Sequence, residues 1–151
     1  MSRNRLHLTV AAVIQYQGRF LFVEEQDKQH GHKVLNQPAG HMEEDEDVLS
    51  AVCREVTEET GLMLTPTAWL GISQLAASNG HTYVRVNFLF EPDSLPQHYQ
   101  PQDNDILALH WLSADELRQH PVPARSRLVH DAINSYLQGT RLALNLIEPL
   151  R

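Results

Sequence analysis

Residues 40–62 hold eight of the chain's 19 acidic residues beside a single basic residue, Arg54. Carboxylates crowded in this way repel one another unless a cation or bulk water absorbs their charge. Glu55, Glu58 and Glu59 have the i, i+3, i+4 spacing that places their side chains on one side of a helix. Grouped carboxylate oxygens suit Mg²⁺, with Mn²⁺ also possible, and leave coordination sites for water and phosphate. The pattern therefore predicts a site for a hard divalent cation.

A helix over residues 48–60 would position these acids. Gly61 is placed to end it, since glycine readily adopts the left-handed conformation that closes a helix. At 100° per residue an apolar stripe forms on one side, and it consists of Val48, Leu49, Val52 and Val56. Glu55 and Glu59 fall beside Val48 at the edge of this stripe, whereas Ser50, Arg54 and Thr57 form the outer side. We therefore expect the metal-binding acids at the margin of the core.

The same stretch resembles the signature of the Nudix hydrolases. The matching residues are Gly40, Glu46 and the run Arg54-Glu55-Val56-Thr57-Glu58-Glu59-Thr60-Gly61-Leu62, in the spacing of that signature. Residues 37–41 (QPAGH) and 111–117 (WLSADEL) further resemble the NudJ-type nucleoside di- and triphosphate phosphatases of the family. The resemblance covers residues 7–138 as one Nudix domain, with its box at 40–62, and leaves 139–151 as a C-terminal extension.

The resemblance implies a role for each residue of the box. Glu55, Glu58 and Glu59 would be catalytic residues and metal ligands, with Glu58 either a ligand or the group that orients one. The backbone carbonyl of Gly40 would join the metal shell, and glycine there allows close backbone approach. Glu46 and Arg54 would form a structural ion pair whose value lies in orientation, because an exposed pair adds little stability.

A loop opposite the box often supplies a further carboxylate in related enzymes, as fourth ligand or general base. Asp105 stands where relatives often have glutamate, six residues before Trp111, and is the catalytic candidate here. Aspartate is one methylene shorter, so a box glutamate or hydroxide held by the metal could replace it. Alternatively, Asp103 and Asp105 are solvated loop acids.

The resemblance implies metal-dependent hydrolysis of phosphoanhydride bonds in nucleoside di- and triphosphates, with release of orthophosphate. The diphosphate of the thiamine pyrimidine precursor is a further expected substrate. Alternatives are a Nudix diphosphatase for another nucleoside-diphosphate linkage and a non-hydrolytic, nucleotide-sensing Nudix domain. The fold and the box do not name the substrate.

Arg85 and Asn87 are candidate substrate-binding residues on a strand over residues 82–90, where they point away from an apolar face; simple solvation is the other interpretation. The loop at 26–33 and the turn at Asn79-Gly80 contain almost no aromatic residues. We therefore expect no base-stacking clamp and weak discrimination between bases.

Composition and charge limit the partners. The 151 residues are enough for one domain with its own core, and 42% hydrophobic content is that of an ordinary globular protein. The formal net charge is −7 without a basic run, which argues against nucleic-acid and membrane-surface binding. A small nucleotide or diphosphate stays compatible, because a bound divalent metal reverses the local sign. Without a signal-peptide core at the N-terminus, the cytoplasm is the expected location.

The order of the remaining elements indicates the fold class. Residues 1–5 are expected to be a solvated tail. Strands are predicted at 6–14, 19–25, 34–37, 64–77, 82–90 and 106–112, and further helices at 114–120 and 125–137. Ser113 and Glu116 have the spacing of a capping box. This order predicts a mixed sheet packed between helices, the α/β/α sandwich that the Nudix resemblance also implies.

Overall fold

The computed structural model describes residues 5–151; residues 1–4, most of the expected N-terminal tail, lie outside the described part. Seven strands form one mixed sheet: β1 (Leu6–Tyr16), β2 (Arg19–Gln26), β3 (Lys33–Asn36), β4 (Ala39–His41), β5 (Ala68–Ala76), β6 (Thr82–Phe90) and β7 (Ala108–Leu112). Three helices accompany them: α1 (Val48–Thr60), α2 (Ala114–Gln119) and α3 (Arg127–Leu137), and a 3₁₀ turn follows at Leu144–Leu146.

The central strand β1 organises the sheet, whose strand order is β3-β2-β1-β6-β5. β1 and β6 run parallel over nine residue pairs, from Leu6 opposite Thr82 to Ile14 opposite Phe90. The other pairings are antiparallel, with β4 on β1 and β7 on β2. The mixed sheet predicted from the sequence is thereby confirmed.

Apolar residues on the two faces of the sheet pack against different helices. Val10 and Val86 lie in one core cluster with Val52 and Val56 of α1. Val13, on the opposite face of β1, lies in a second cluster with residues of α3, among them Val129 and Ile133. Burial on both faces explains why the centre of β1 reads as a continuous apolar run. The helix–sheet–helix layering of an α/β/α sandwich follows.

Helix α1 begins and ends at the residues that the sequence predicts. Asp47 caps its N-terminus by accepting a hydrogen bond from the Ser50 backbone N–H at 2.9 Å. Gly61 ends it with a positive φ of 81°, and a side chain there would collide with the backbone of Gln100. Glycine is therefore required both for the turn and for the close passage of the following loop.

Several predicted boundaries are wrong by a few residues. β5 starts at Ala68 rather than residue 64, after the stretch that contains Pro66. Helix α3 begins at Arg127 rather than 125, because the Ser126 hydroxyl accepts from the Leu128 N–H and caps it. The capping box at Ser113 and Glu116 is confirmed. Among residues 5–151, no helix is both long and apolar enough to cross a lipid bilayer.

The C-terminal extension is attached to the edge strand β5. Trp69 and Leu142 exchange two backbone hydrogen bonds of 3.0 and 2.9 Å, and the Trp69 indole N–H donates to the Ala143 carbonyl. Leu144 and Ile147 pack against the α1-side core. Residues 139–151 thus cover part of an otherwise open strand edge. The division at residue 138 stays a prediction.

Candidate active site

The carboxylates of Glu55 and Glu59 converge on strand β4. Both side chains lie at the margin of the α1 core, and each residue is only 8% exposed. Glu59 Oε1 accepts a hydrogen bond of 2.9 Å from the Ala39 backbone N–H. Any side chain added at Gly40 would fall on the Glu55 carboxylate. The glycine therefore leaves the space in which the Glu55 carboxylate lies against the strand.

Burial disfavours the ionised form of both acids. It raises the pKa of Glu55 from 4.5 to about 7, against the lowering effect of the hydrogen bond from Arg54. It raises the pKa of Glu59 to about 9, with the Glu55 charge adding to the shift. Two neighbouring acids that resist ionisation without a counter-charge form a site that gains from a bound cation.

Arg54 connects the acids of the box. Its Nε and Nη2 donate to the two carboxylate oxygens of Glu46 at 2.7 and 3.0 Å. Its Nη1 donates to Glu55 at 2.9 Å and to Glu58 at 3.3 Å. Its Nη2 also reaches the His41 carbonyl at 3.1 Å, which ties helix α1 to strand β4. The bidentate bond lowers the pKa of Glu46, so the expected ion pair is present and fixes the orientation of the helix face.

The donor set fits a divalent cation without forming a finished site. Carboxylate oxygens are ligands that Mg²⁺ and Mn²⁺ prefer. In the described part of the chain, no three His, Cys, Asp or Glu side chains are arranged to hold one metal ion as they stand. Glu55 and Glu58 both contact the Arg54 guanidinium. A cation would compete with the guanidinium for these oxygens.

The loop opposite the box docks on the C-terminal end of α1. The Glu58 carbonyl accepts from the backbone N–H groups of Gln102 and Asp103, each at 2.9 Å. Asp103 lies half-buried, and its negative charge contributes to the raised pKa of Glu59. Asp105 is exposed, and its backbone N–H donates to Asp103 Oδ1. Of the two loop acids, Asp103 is therefore the one whose charge acts on the site. The sequence argument, which chose Asp105 from its distance to Trp111 along the chain, could not make this distinction.

Arg85 and Asn87 are buried, which excludes the solvated interpretation. Arg85 is 7% exposed, and its Nη1 donates to Asn36 Oδ1 and to Gln37 Oε1, each at 3.2 Å. Burial lowers the pKa of its guanidinium to about 10. Arg85 Nε and Asn87 Oδ1 are buried without a hydrogen-bond partner among the described residues. Arg85 thus supports the segment that leads into β4. The Nε donor of Arg85 and the Oδ1 acceptor of Asn87 are left without a partner among the described residues.

The loop at 26–33 and the turn at Asn79-Gly80 contain no Phe, Tyr or Trp, so no aromatic clamp comes from them. Rings are instead brought together on strands β1, β4 and β6, and they belong to His7, His41, His81 and Tyr83. His7 lies between His41 and His81, with ring nitrogens 2.9 and 2.6 Å away. Burial, followed by the nearby His7, lowers the pKa of His41. The sequence alone does not show that His7 and Tyr83 share a sheet face. Alternation along residues 6–14 and 82–90 would show it only if the parallel pairing of the two strands were already known.

Comparison with known proteins agrees with the fold. A model of the NUDIX domain matches residues 5–132. Phosphatase NudJ of Escherichia coli strain K12 is 38% identical over 141 residues, which are 93% of this chain and 90% of that protein. The solved NUDIX hydrolase from Nitrosomonas europaea is 36% identical, with a TM-score of 0.86 over 95% of this chain and 97% of that one.

A more distant structure shares the fold alone. The NUDIX domain of NrtR from Shewanella oneidensis, solved in complex with ADP ribose, is 20% identical. It has a TM-score of 0.68 over 87% of this chain and 88% of that one.

The fold and these matches define an enzyme of the Nudix hydrolase type, and the chain belongs to the Nudix family. Within that family it is a relative of Phosphatase NudJ. It is therefore a hydrolase of phosphoanhydride bonds. Nudix hydrolases generally use divalent metal ions.

Proposed function

We propose that this enzyme removes orthophosphate from nucleoside triphosphates and then from nucleoside diphosphates, with Mg²⁺ as its metal and Mn²⁺ as a substitute. The likeness to Phosphatase NudJ over 93% of the chain is the observation that carries this proposal. The diphosphate of the thiamine pyrimidine precursor is a further proposed substrate. The cytoplasmic location and the absence of a nucleic-acid partner stay predictions.

Glu55, Glu58, Glu59 and the carbonyl of Gly40 are the proposed metal ligands. The two buried carboxylates and the space that glycine leaves against Glu55 support this assignment. When bound, the cation would neutralise phosphate oxygens and lower the pKa of the attacking water. Arg54 would hold the helix face in orientation through its two bonds to Glu46, and Glu55 and Glu58 would be free to hold the cation once it replaces the guanidinium as their partner.

In the proposed reaction the oxygen of water attacks the terminal phosphorus and forms the new P–O bond. The bond from that phosphorus to the bridging oxygen breaks, and the nucleoside diphosphate leaves with the bridging oxygen. The proton of water passes to a carboxylate and then to solvent. Asp105 is still proposed as an auxiliary catalytic residue. Asp103 is the stronger candidate for the fourth metal ligand or general base that this loop would supply.

Arg85 and Asn87 are proposed to contact the substrate. The unpaired donor of Arg85 and acceptor of Asn87 support this role, because unsatisfied buried polar groups are costly unless a ligand or water completes them. Arg85 would have two roles. Its bonds to Asn36 and Gln37 would hold the segment that leads into β4, and its Nε would donate to the substrate.

Hydrolysis in ¹⁸O-labelled water tests the proposed bond cleavage. With a nucleoside triphosphate and Mg²⁺, the label is expected in orthophosphate. Label in pyrophosphate, or only in the nucleoside monophosphate, would exclude this mode and favour a pyrophosphohydrolase acting on another linkage. Glu44→Gln is a matched control, since Glu44 is an exposed acid of the same box, and it is expected to retain the wild-type product pattern.

A further inference from the structure

Four aromatic side chains meet on the sheet beside the strand that carries Gly40. His7 lies on β1, His41 ends β4, Tyr83 lies on β6, and His81 immediately precedes β6. The His7 and Tyr83 rings are stacked, with centroids 4.5 Å apart and planes 12° from parallel. The His81 ring lies 19° from parallel to His7, and its Nδ1 is 2.6 Å from His7 Nε2. We call these four residues the aromatic cluster.

The β1–β6 register places the aromatic cluster on the same sheet face as Arg85 and Asn87. His7 lies opposite Tyr83, and alternate residues of a strand share a face. Tyr83, Arg85 and Asn87 therefore follow one another along that face of β6. The unused donor of Arg85 and the unused acceptor of Asn87 thus continue the line that begins at the Tyr83 ring. A flat ring with nitrogen and oxygen atoms on its edge would complement this surface, since it could stack on Tyr83 and form hydrogen bonds with Arg85 and Asn87.

The aromatic cluster also adjoins the proposed metal site. His41 directly follows Gly40, and its carbonyl accepts from Arg54, which holds Glu55. His41 is exposed, and the other three residues of the cluster are only half-buried. Their rings are therefore not consumed by the core, in contrast to Phe88 and Phe90. Arg85, two residues beyond Tyr83 on β6, donates to Gln37, and the backbone N–H of Ala39, two residues further along, donates to Glu59. This chain of contacts connects the face of the aromatic cluster with the proposed metal site.

We propose that the aromatic cluster binds the flat heteroaromatic ring of the substrate, with His7 and Tyr83 as the stacking residues. This inference rests on the proposed function and deepens it. Aromatic side chains stack on any nucleobase, so the cluster favours ring-bearing diphosphates without selecting purine or pyrimidine. It therefore distinguishes nucleotides and pyrimidine diphosphates from sugar or alkyl diphosphates, which offer no such ring.

Steady-state kinetics of the Mg²⁺-loaded full chain on ATP, CTP and inorganic tripolyphosphate test the cluster. Tyr83→Ala is expected to lower the ratio of kcat/KM on nucleotides to that on tripolyphosphate by about tenfold to a hundredfold, mainly through KM. Tyr83→Phe, which keeps the ring, is expected to retain the ratio. A ratio unchanged in Tyr83→Ala would overturn the inference, as would equal losses on all three compounds, which indicate a structural role. Should Tyr83→Ala fail to fold, His7→Ala, which removes the other stacking ring, takes its place.

Failure of the proposed function is distinguishable from failure of the cluster. Wild-type protein that hydrolyses neither nucleotides nor tripolyphosphate would overturn the proposed function alone. Calorimetric affinities for ADP and pyrophosphate, which need no turnover, then test the cluster. Tyr83→Ala is expected to weaken ADP binding by about tenfold more than pyrophosphate binding. Equal weakening of both ligands, or no weakening of either, would overturn the inference.

Discussion

Replacing Glu59 by glutamine is expected to stabilise the metal-free protein increasingly as the pH rises. Burial raises the pKa of Glu59 from 4.5 to about 9. Between these values the folded state keeps a proton that the unfolded state releases. The stability that this group contributes is therefore complete below about pH 4.5 and is lost as the pH rises towards 9. Glutamine does not ionise, and its carbonyl oxygen can still accept from the Ala39 N–H.

The size of the effect follows from the difference in pKa. The loss amounts to about 1.4 kcal/mol per pH unit above the unfolded-state pKa, which gives roughly 3 kcal/mol at pH 7 and under about 1 kcal/mol at pH 5. For a domain of this size, about 3 kcal/mol corresponds to a difference in Tm on the order of 6–12 °C. The metal-free variant should thus melt well above the wild type at pH 7 and close to it at pH 5.

Thermal unfolding in EDTA, followed by circular dichroism from pH 5 to pH 8, measures this difference. Glu44→Gln serves as the control and is expected to follow the wild-type curve. Added Mg²⁺ should raise the Tm of the wild type and leave that of Glu59→Gln almost unchanged, since one proposed ligand is missing. A difference between wild type and Glu59→Gln that stays constant across the pH range would refute the burial argument.

Other predictions concern turnover and metal binding. Glu55→Gln and Glu59→Gln are each expected to abolish most turnover while preserving the fold; near-wild-type rates at low Mg²⁺ in either variant would contradict the ligand assignment. Asp105→Asn should lower kcat far less than Glu59→Gln, and Asp103→Asn should lower it more than Asp105→Asn, because only Asp103 affects the pKa of Glu59; equal effects of the two loop variants in steady-state assays would remove this distinction. Gly40→Ala is expected to raise the Mg²⁺ concentration needed for the half-maximal rate by about tenfold or more. The reason is that the added methyl group displaces the Glu55 carboxylate from its position. An unchanged Mg²⁺ titration would show that Glu55 can move without loss of metal affinity.

The helix that carries the acids could be predicted from the sequence because its determinants are local. Asp47, Gly61 and the spacing of Val48, Val52 and Val56 all act within one or two turns. The contact of Arg54 with Glu46, which the family resemblance implied, also involves residues of one segment. The order of strands and helices was sufficient for the sandwich.

The rest of the candidate site depends on pairing between distant strands. His7 and His81 are separated by 74 residues, yet their ring nitrogens are 2.6 Å apart. Burial of Arg85 requires both neighbouring strands and the amides of Asn36 and Gln37. An alternating pattern shows that Arg85 and Asn87 share a face, but it does not show that this face is covered. The same limit applies to Asp103, whose position results from backbone bonds to the far end of α1.

The parallel pairing of β1 with β6 also has a consequence for folding. The first pair, Leu6 with Thr82, closes a stretch of 76 residues, so this contact comes late in synthesis and carries a large entropic cost of loop closure. Until β6 has been made, one edge of β1 is an open template beside Leu6 and Leu8, which stay exposed even in the finished protein. A nascent chain of which only the first 80 residues have emerged from the ribosome therefore still exposes this edge of β1, and a chaperone that covers exposed strand edges would act at that stage.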